Sequence, residues 1–225
     1  ITGASAGIGK AAAIKIAEAG AKTIIVARTE EKLLETQQEI QALGGQAFIY
    51  TADIADIASC DALIRRVLDE HGGADILVNN AGRSIRRAIE NSLERFHDYE
   101  RTMQLNYFGA LRLIMGFIPT MLQKKRGHII NISSIGVLSN APRFSAYVAS
   151  KAALDAFSRC AAAEFSDSGI EFTTINMPLV RTEMIAPTKI YQHVPTLSPE
   201  EAADLVVQAI IHRPARIATR VRTFA

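Results

Sequence analysis

Short apolar runs alternate along this chain with longer segments in which apolar residues recur at helical spacing. Such runs are typical of strands buried in a parallel sheet, and the longer segments are typical of amphipathic helices. The pattern predicts strands at Thr23–Ala27, Gln46–Thr51, Ile76–Asn79, His128–Ile132, Glu171–Asn176 and Arg216–Thr219. It predicts helices at Gly9–Ala19, Glu30–Leu43, Ser59–His71, Leu93–Gln123, Ser145–Ser166 and Pro199–Ile211. This alternation indicates βαβ units, so we expect an α/β fold, a doubly wound parallel sheet with helices on both faces.

Length and composition narrow the class of protein. The chain has 225 residues, 48% of them hydrophobic, and a net charge of +2, which predicts a single globular domain with a substantial core. The balanced charge does not favour nucleic acid as a partner, and we expect neither a transmembrane segment nor a signal peptide. Cys60 and Cys160 are too few for a disulfide framework, so we expect reduced thiols and a cytoplasmic protein.

Tyr147 and Lys151 have the clearest chemistry, because residues four apart on a helix project from the same face. A lysine ammonium beside a phenol lowers a pKa that is ordinarily about 10, so Tyr147 can exchange a proton at neutral pH. Ser134, thirteen residues upstream, can hydrogen-bond a substrate oxygen. The Tyr-x-x-x-Lys spacing alone also occurs on solvated helix faces, so its meaning depends on the rest of the chain. The spacing of His, Cys and Asp predicts no metal site.

Glycine-rich turns provide a second signal. Residues 2–9 read Thr-Gly-Ala-Ser-Ala-Gly-Ile-Gly and lead directly into a helical run, a pattern that lets a pyrophosphate sit on a helix N-terminus. Asn79-Asn80-Ala81-Gly82 follows a predicted strand, at the sheet edge where open α/β sheets bind ligands. Since only Ile1 precedes Thr2, we expect the first strand of the sheet to be truncated, with the remainder upstream.

Together these motifs resemble those of the short-chain dehydrogenase/reductase family, and most closely its bacterial fatty acyl-CoA reductases. The matching elements, in the family's order and spacing, are the glycine turn, Asp53, Asn79-Asn80-Ala81-Gly82, Asn106, Ser134, Tyr147 and Lys151. The resemblance runs from residue 1 to about residue 197 and implies a Rossmann-type oxidoreductase that uses a nicotinamide cofactor. The alternative from a different class is a cofactor-binding domain without activity.

The resemblance implies a role for each matching residue. Tyr147 would protonate the substrate oxygen, Ser134 would hold that oxygen, and Lys151 would lower the pKa of Tyr147 and hold the nicotinamide ribose. Asn106 would kink its helix and hold a water that relays protons towards Lys151. The residues implied to contact the cofactor are Gly3, Ser5, Ala6, Gly7, Ile8, Gly9, Arg28, Asp53, Ile54, Asn80, Ala81, Gly82, Tyr147, Lys151, Pro178, Val180 and Thr182.

The end of the strand Thr23–Ala27 indicates the cofactor. Related NAD enzymes carry an acidic residue where this chain has Ala27, and Arg28 follows immediately. The planar fork of arginine suits a phosphate, so we expect NADP(H). The chain departs from the family pattern at two positions. Ala6 stands where many NADP-dependent relatives carry a second basic residue, and Leu179 replaces the usual glycine.

The substrate is indicated by a narrower resemblance. Residues 83–87, 95–109 and 177–189 look like the corresponding segments of bacterial fatty acyl-CoA reductases, which reduce a long-chain acyl thioester to an aldehyde with NADPH. A dehydrogenase acting on a ketoacyl, steroid or other lipophilic carbonyl is the alternative. Arg83, Arg86 and Arg87 either bind phosphates of coenzyme A or are solvated.

Two structural expectations complete the picture. Residues 183–197 contain Met184, Ile185, Ile190 and Tyr191 and predict an apolar lid that orders over a bound chain, or simply packs down. We also expect a homo-oligomer, because the helices Leu93–Gln123 and Ser145–Ser166 carry more apolar residues than one sheet face covers; burial within the subunit or against an upstream domain is the alternative. The apolar residues in question are Leu105, Phe108, Leu111, Leu113, Ile114, Phe117, Leu154, Phe157, Ala161 and Phe165.

Overall fold

A computed structural model of the chain describes residues 1–186, 188, 191 and 193–218. Its helices are α1 (Gly7–Glu18), α2 (Glu30–Ala42), α3 (Ile57–His71), α4 (Phe96–Met103), α5 (Ala110–Lys124), α6 (Ile135–Ser139), α7 (Ser145–Glu164) and α8 (Pro199–His212). Its strands are β1 (Lys22–Ala27), β2 (Gln46–Thr51), β3 (Ile76–Asn79), β4 (Gly127–Ser134), β5 (Ile170–Met177) and β6 (Arg216–Ala218). The predicted elements are confirmed with small shifts at their ends. Thr219, the predicted end of the last strand, lies outside the described residues.

The strands form parallel ladders that meet at the beginning of the chain. β1 pairs with β2, and β3, β4, β5 and β6 pair in that order. Between the two ladders lie residues 1–4: the Thr2 N–H donates to the Val78 carbonyl at 3.0 Å, and the Val26 N–H donates to the Ile1 carbonyl at 3.0 Å. Residues 1–4 therefore occupy the central position of the sheet, directly before the glycine-rich turn.

Helices cover both faces of the sheet. Side chains that are adjacent along a strand point to opposite faces, and Leu77 and Ile129 accordingly pack in the core with α3, α5 and α7. Their neighbours Val78 and Ile130 pack in the core with α1 and α8. A further cluster lies between α1, α2 and β1. The doubly wound parallel sheet predicted from the sequence is confirmed.

The helix predicted at Leu93–Gln123 is interrupted around Asn106, where the sequence predicted a kink. It runs as α4, a π-helical turn at Gln104–Gly109 and α5. Together, Phe96–Lys124 is long and apolar enough to cross a membrane by length and composition, although the sequence predicted no such segment. Leu113, Ile114 and Met121 are nevertheless buried in the subunit core, and Arg112 forms a salt bridge with Asp61 on α3. These contacts are those of a core helix.

Much of the apolar surface expected at an oligomer interface is buried inside the subunit. The buried members of the predicted set are Leu113, Ile114, Phe117, Leu154 and Ala161. Phe108 remains exposed, together with Met115 and Leu122 of α5. The homo-oligomer stays a prediction, and the surface that would carry it is smaller than the sequence indicated.

β4 begins with a buried histidine. His128 is 1% exposed, and its Nε2 lies 2.9 Å from Thr173 Oγ1. The Thr173 hydroxyl donates to the Pro214 carbonyl at 2.6 Å, so Nε2 carries the proton and donates to Thr173. Nδ1 has no hydrogen-bond partner among the described residues. Burial lowers the pKa of His128 from 6.5 to about 4.

Acidification should therefore destabilise the fold through His128. Between pH 6.5 and about 4, His128 takes up a proton in the unfolded chain but stays neutral in the folded chain. The stability that His128 contributes to the fold is therefore complete above pH 6.5 and is lost as the pH falls towards 4. At ~1.4 kcal/mol per pKa unit, the loss is on the order of 2–3 kcal/mol.

Urea denaturation of His128→Gln should give a flatter dependence of unfolding free energy on pH. An unchanged slope in His128→Gln would contradict the assignment.

Candidate active site

The residues implied to bind a cofactor gather at one edge of the sheet. Parallel strands end at the same edge, and ligands bind in the crevice beyond those ends. Segments that follow β1, β2, β3 and β5 carry Arg28, Asp53, Asn80 and Pro178 respectively, and Ser134 is the last residue of β4. Tyr147 and Lys151 reach this edge from α7. The structure thus brings together residues that are far apart in the sequence.

The glycine turn and the Asn-Asn-Ala-Gly turn are in direct contact. Thr2 Oγ1 accepts hydrogen bonds from the backbone N–H groups of Asn80 and Ala81, both at 3.0 Å, and Asn80 Nδ2 donates to the Thr2 carbonyl at 2.9 Å. A Cβ on Gly9 would lie 2.3 Å from the Gly3 carbonyl oxygen and 2.5 Å from Asn80 Nδ2. No residue larger than glycine fits at position 9 with this backbone.

The N-terminus of α1 presents backbone donors to the same crevice. Helix α1 begins at Gly7, and its N-cap residue Ala6 supplies no side-chain hydrogen bond, nor is there an acidic residue in the first turn. The first N–H groups of a helix have no partner within the helix and attract anions such as phosphate. Ser5 and Ile8 flank this turn, and the Thr182 methyl group packs beside Gly7. Thr182 follows Val180, which is buried.

Arg28, which the sequence predicts to bind a phosphate on the adenosine ribose, lies at the same edge of the sheet. It is exposed, directly follows β1, and forms no salt bridge with any residue in the described part of the chain. The neighbouring turn after β2 is held in place, since the Ala52 N–H donates to the Ala27 carbonyl at 2.9 Å. Asp53 Oδ1 accepts from the Ala55 N–H at 2.9 Å, and Ile54 is buried. The guanidinium of Arg28 is thus available, and no carboxylate occupies position 27.

Ser134 and Tyr147 bring two hydroxyl groups to this edge of the sheet. Ser134 Oγ accepts from the Gly136 N–H at 3.1 Å, which orients the serine. Burial raises the pKa of Tyr147, the Ser134 hydroxyl opposes that rise, and the phenol of Tyr191 adds to it. The tyrosine is accordingly a neutral acid with its proton available for an oxygen bound beside Ser134.

Lys151 is a buried ammonium held by the backbone. It is 3% exposed, and its Nζ donates to the Ile132 carbonyl at 2.7 Å. Burial lowers the pKa of Lys151 to about 8. The predicted effect of Lys151 on the pKa of Tyr147 stays a prediction.

Asn106 lies in the π-helical turn and joins the candidate site to the Asn-Asn-Ala-Gly turn. Its Oδ1 accepts from the Arg83 N–H at 2.8 Å, and its Nδ2 donates to the Arg83 carbonyl and to Ser150 Oγ, both at 2.9 Å. A Cβ on Gly82 would lie 3.3 Å from Lys151 Nζ and 3.4 Å from Asn106 Oδ1. The expected irregularity at Asn106 is therefore a π turn, a feature frequent at functional sites. The proposed water relay stays a prediction.

These residues fit a nicotinamide dinucleotide. The glycine turn, where a Cβ on Gly3 or Gly9 would collide with neighbouring atoms, leads into the open N-terminus of α1, which suits a pyrophosphate. A buried ammonium at Lys151 and a protonated phenol at Tyr147 are carried by α7. The residues that would hold the cofactor are those named from the sequence.

Two residues support the candidate site in a way that the sequence did not indicate. Thr2 and Ser150 hold the backbone turns and Asn106 by hydrogen bonds. In the sequence they stand out only as hydroxyl residues within the glycine turn and the Tyr147–Lys151 motif. One of the arginines considered for phosphate binding has a partner: Arg87 forms a salt bridge with the buried Asp98.

The segment expected to form a lid is closed at its base. Val180 and Leu197 form a parallel bridge, and the Arg181 N–H donates to the Leu197 carbonyl at 2.9 Å. Within the loop, Ile185 and Tyr191 line a cavity of about 600 Å³, whereas Met184 is exposed. Ile190 lies outside the described residues, as do Pro187, Lys189 and Gln192.

A second cavity lies at the start of α7. It has a volume of about 580 Å³ and lies between residues 88–90 and 140–148. Its lining includes the apolar side chains of Ile89, Pro142 and Val148.

Comparison with known proteins agrees with this geometry. The family model for short chain dehydrogenases matches residues 1–192. A fatty acyl-CoA reductase of Acinetobacter baylyi is 60% identical over 225 residues, 100% of this chain and 76% of that protein. A fatty acyl-CoA reductase of Mycobacterium tuberculosis is 50% identical over 222 residues, 98% of this chain and 76% of that protein.

Solved structures show the same architecture. A short-chain dehydrogenase from Streptomyces avermitilis superposes with a TM-score of 0.86 at 31% identity, covering 98% of this chain and 87% of that one. A metagenomic short-chain oxidoreductase in complex with NADP superposes with a TM-score of 0.83 at 30% identity, covering 98% and 95% respectively. Fold, motifs and relatives agree, and this chain belongs to the short-chain dehydrogenase family of oxidoreductases, which use nicotinamide cofactors.

Proposed function

We propose that this protein uses NADPH to reduce a long-chain fatty acyl-CoA to the fatty aldehyde. The observation that carries the reductase chemistry is that Ser134, at the end of β4, lies at the same edge of the sheet as Tyr147 and the buried Lys151 of α7. The acyl-CoA substrate is supported by the 60% identity to an Acinetobacter baylyi fatty acyl-CoA reductase over the whole chain. Apolar side chains such as Ile89, Pro142 and Val148 line one of the two cavities, which suits a lipophilic chain.

The preference for NADP(H) is supported by charge at the end of β1. Arg28 is exposed and free of salt bridges to the described residues, and Ala27 contributes no carboxylate that would repel a phosphate. An arginine fork binds a phosphate dianion with two parallel hydrogen bonds. The solved metagenomic relative binds NADP.

Three residues of the chain have separate roles in the proposed reaction. The bound cofactor would supply a hydride to the carbonyl carbon. Ser134 would hold the carbonyl oxygen, and Tyr147 would protonate that oxygen as negative charge develops on it, a contribution typically worth ~10²–10⁴ in rate. Lys151 would hold the nicotinamide ribose and, once its bond to Ile132 is exchanged for the ribose and Tyr147, would favour the phenolate.

Two further properties belong to the proposal. A cytoplasmic location is supported by the exposed, unpaired Cys160, because oxidising compartments favour paired cysteines. A homo-oligomer is supported by the exposed Phe108, Met115 and Leu122 beside α5, which would pair with a second copy about a two-fold axis.

Thiol release should separate acyl-CoA reduction from its alternative. Incubated with NADPH and a long-chain acyl-CoA, the protein should release one free thiol for each NADPH oxidised, because loss of the thiol accompanies aldehyde formation. A ketone or alcohol dehydrogenase acting on a ketoacyl or steroid carbonyl releases none. Turnover of such carbonyls without thiol release from any acyl-CoA length would establish that alternative instead. No turnover of either class would favour an inactive cofactor-binding domain.

Arg28 should set the cofactor preference. The double variant Ala27→Asp, Arg28→Gln should lose ~10–100-fold in kcat/KM with NADPH, as expected for lost charge-assisted hydrogen bonds, and should gain relative activity with NADH. The matched control is Arg126→Gln, since Arg126 is exposed before β4, at the opposite edge of the sheet. Equal use of both cofactors by the wild-type protein would refute the assignment.

Tyr147→Phe should remove turnover while NADPH still binds, because this change deletes only the acidic hydroxyl. Lys151→Ala should weaken both turnover and NADPH binding, since Lys151 has a role in each. Steady-state rates and NADPH fluorescence titrations measure the two effects independently. A rate for Tyr147→Phe close to that of the wild type would exclude this mechanism.

A further inference from the structure

Ser134 is held by a buried asparagine on the neighbouring strand. The Asn176 side chain is buried in β5, and its Nδ2 donates to the Ser134 carbonyl at 3.2 Å. The Gly136 N–H donates to the Ser134 hydroxyl oxygen at 3.1 Å. The first of these hydrogen bonds holds the backbone of the serine and the second holds its side chain. The direction of the Ser134 hydroxyl therefore depends on both.

Arg216 determines which way the Asn176 amide points. Arg216 lies in β6, and its guanidinium donates to Asn176 Oδ1 at 2.6 Å. A guanidinium has donors only, so the amide atom that faces it must be the oxygen. The amide nitrogen is then left to face the Ser134 carbonyl. Without Arg216, Asn176 Oδ1 would lose this partner inside the protein, and the amide could turn over.

Asp155 holds Arg216 in place. The buried Asp155 carboxylate accepts from the Arg216 guanidinium at 2.7 Å, and Arg159 forms a second salt bridge with it. Asp155 follows Tyr147 and Lys151 at intervals of four residues on α7, so the three side chains project from one face of that helix. A chain of hydrogen bonds thus leads from the reacting face of α7 through Arg216 to the end of β4.

We propose that Asn176 and Arg216 are positioning residues for Ser134 in carbonyl reduction. Arg216 orients the Asn176 amide, and that amide holds the Ser134 backbone so that the hydroxyl meets the carbonyl oxygen. A hydrogen-bond donor stabilises a developing oxyanion best when its direction is set beforehand. The inference rests on the role proposed above for Ser134, and it applies to a thioester and to a ketone alike.

Two variants interrupt the chain of hydrogen bonds at different points. Asn176→Asp keeps the size of the side chain and its bond with Arg216, but a carboxylate cannot donate to the Ser134 carbonyl. Arg216→Met removes the donor that orients the amide. Each variant should lower kcat ~10-fold, as for the loss of one buried hydrogen bond, and leave NADPH binding within about twofold of wild type. Arg216→Lys should recover most of the rate, because an ammonium also has donors only.

A double-mutant cycle with Ser134→Ala separates positioning from a general structural role. The measurement is kcat for NADPH oxidation with the carbonyl compound that the wild-type protein reduces, which is a long-chain acyl-CoA under the proposed function. Ser134→Ala alone should lower kcat ~10²-fold, as for the loss of one oxyanion donor. Adding Asn176→Asp or Arg216→Met to Ser134→Ala should lower kcat less than about twofold further, because the hydroxyl that they position is absent. An equal loss in both backgrounds would overturn the proposal, since a loosened fold does not depend on the hydroxyl.

Arg213→Met is the matched control. Arg213 also hydrogen-bonds a side chain of β5, that of Glu171 at 3.3 Å, but at the beginning of the strand and away from the candidate site. This variant should leave kcat unchanged. Wild-type rates in both Asn176→Asp and Arg216→Met would overturn this inference alone. If Ser134→Ala keeps the wild-type rate, or if the wild-type protein reduces no carbonyl compound, the proposed function fails and this inference with it.

Discussion

The candidate site depends on how closely two backbone turns approach each other. One hydroxyl, Thr2 Oγ1, accepts hydrogen bonds from both N–H groups at the start of the Asn-Asn-Ala-Gly turn, and Gly9 leaves room for Asn80 to pack against the glycine-rich turn. Unpaired buried backbone groups are costly, so this arrangement is stable only while the turns stay together. Their contact fixes the N-terminus of α1 and Gly82 relative to the rest of the sheet edge.

From that contact the geometry extends to the reacting groups. Gly82 lies against Lys151 Nζ and Asn106 Oδ1, so the position of the turn sets the space beside the ammonium. Asn106 is in turn bonded to Arg83 and Ser150, which connects the π-helical turn to α7. Because α7 also carries Tyr147, movement of either turn would be transmitted to the phenol. Binding and chemistry thus share one rigid set of contacts.

The sequence predicted what depends on local pattern and motif. Alternation of apolar runs and helical periodicity was sufficient for the elements and the parallel sheet, and motif spacing identified residues that the fold brings to one edge, such as Ser134 and Tyr147. Contacts between distant segments left no such pattern. Nothing local indicates that Arg87 pairs with Asp98 or that Asn106 bonds to Ser150.

Burial was the harder property to anticipate. Apolar residues on a helix can face their own core or a partner subunit, and the sequence cannot distinguish the two. Phe117 and Leu154 belong to the core, while Met115, which was not singled out from the sequence, is exposed. The Lys151 ammonium is likewise bonded to a backbone carbonyl, a partner that carries no sequence signal.

The bridge between Val180 and Leu197 has an evolutionary consequence. It holds together the two ends of the loop between Val180 and Leu197. The structure of the sheet therefore depends little on this loop. For a loop whose ends are already joined, each doubling of length costs only ~0.6 kcal/mol in closure entropy. Insertions, deletions or a wholly different loop are therefore cheap at this place. A single scaffold can acquire new substrates by exchanging this loop, while the cofactor cradle is inherited unchanged.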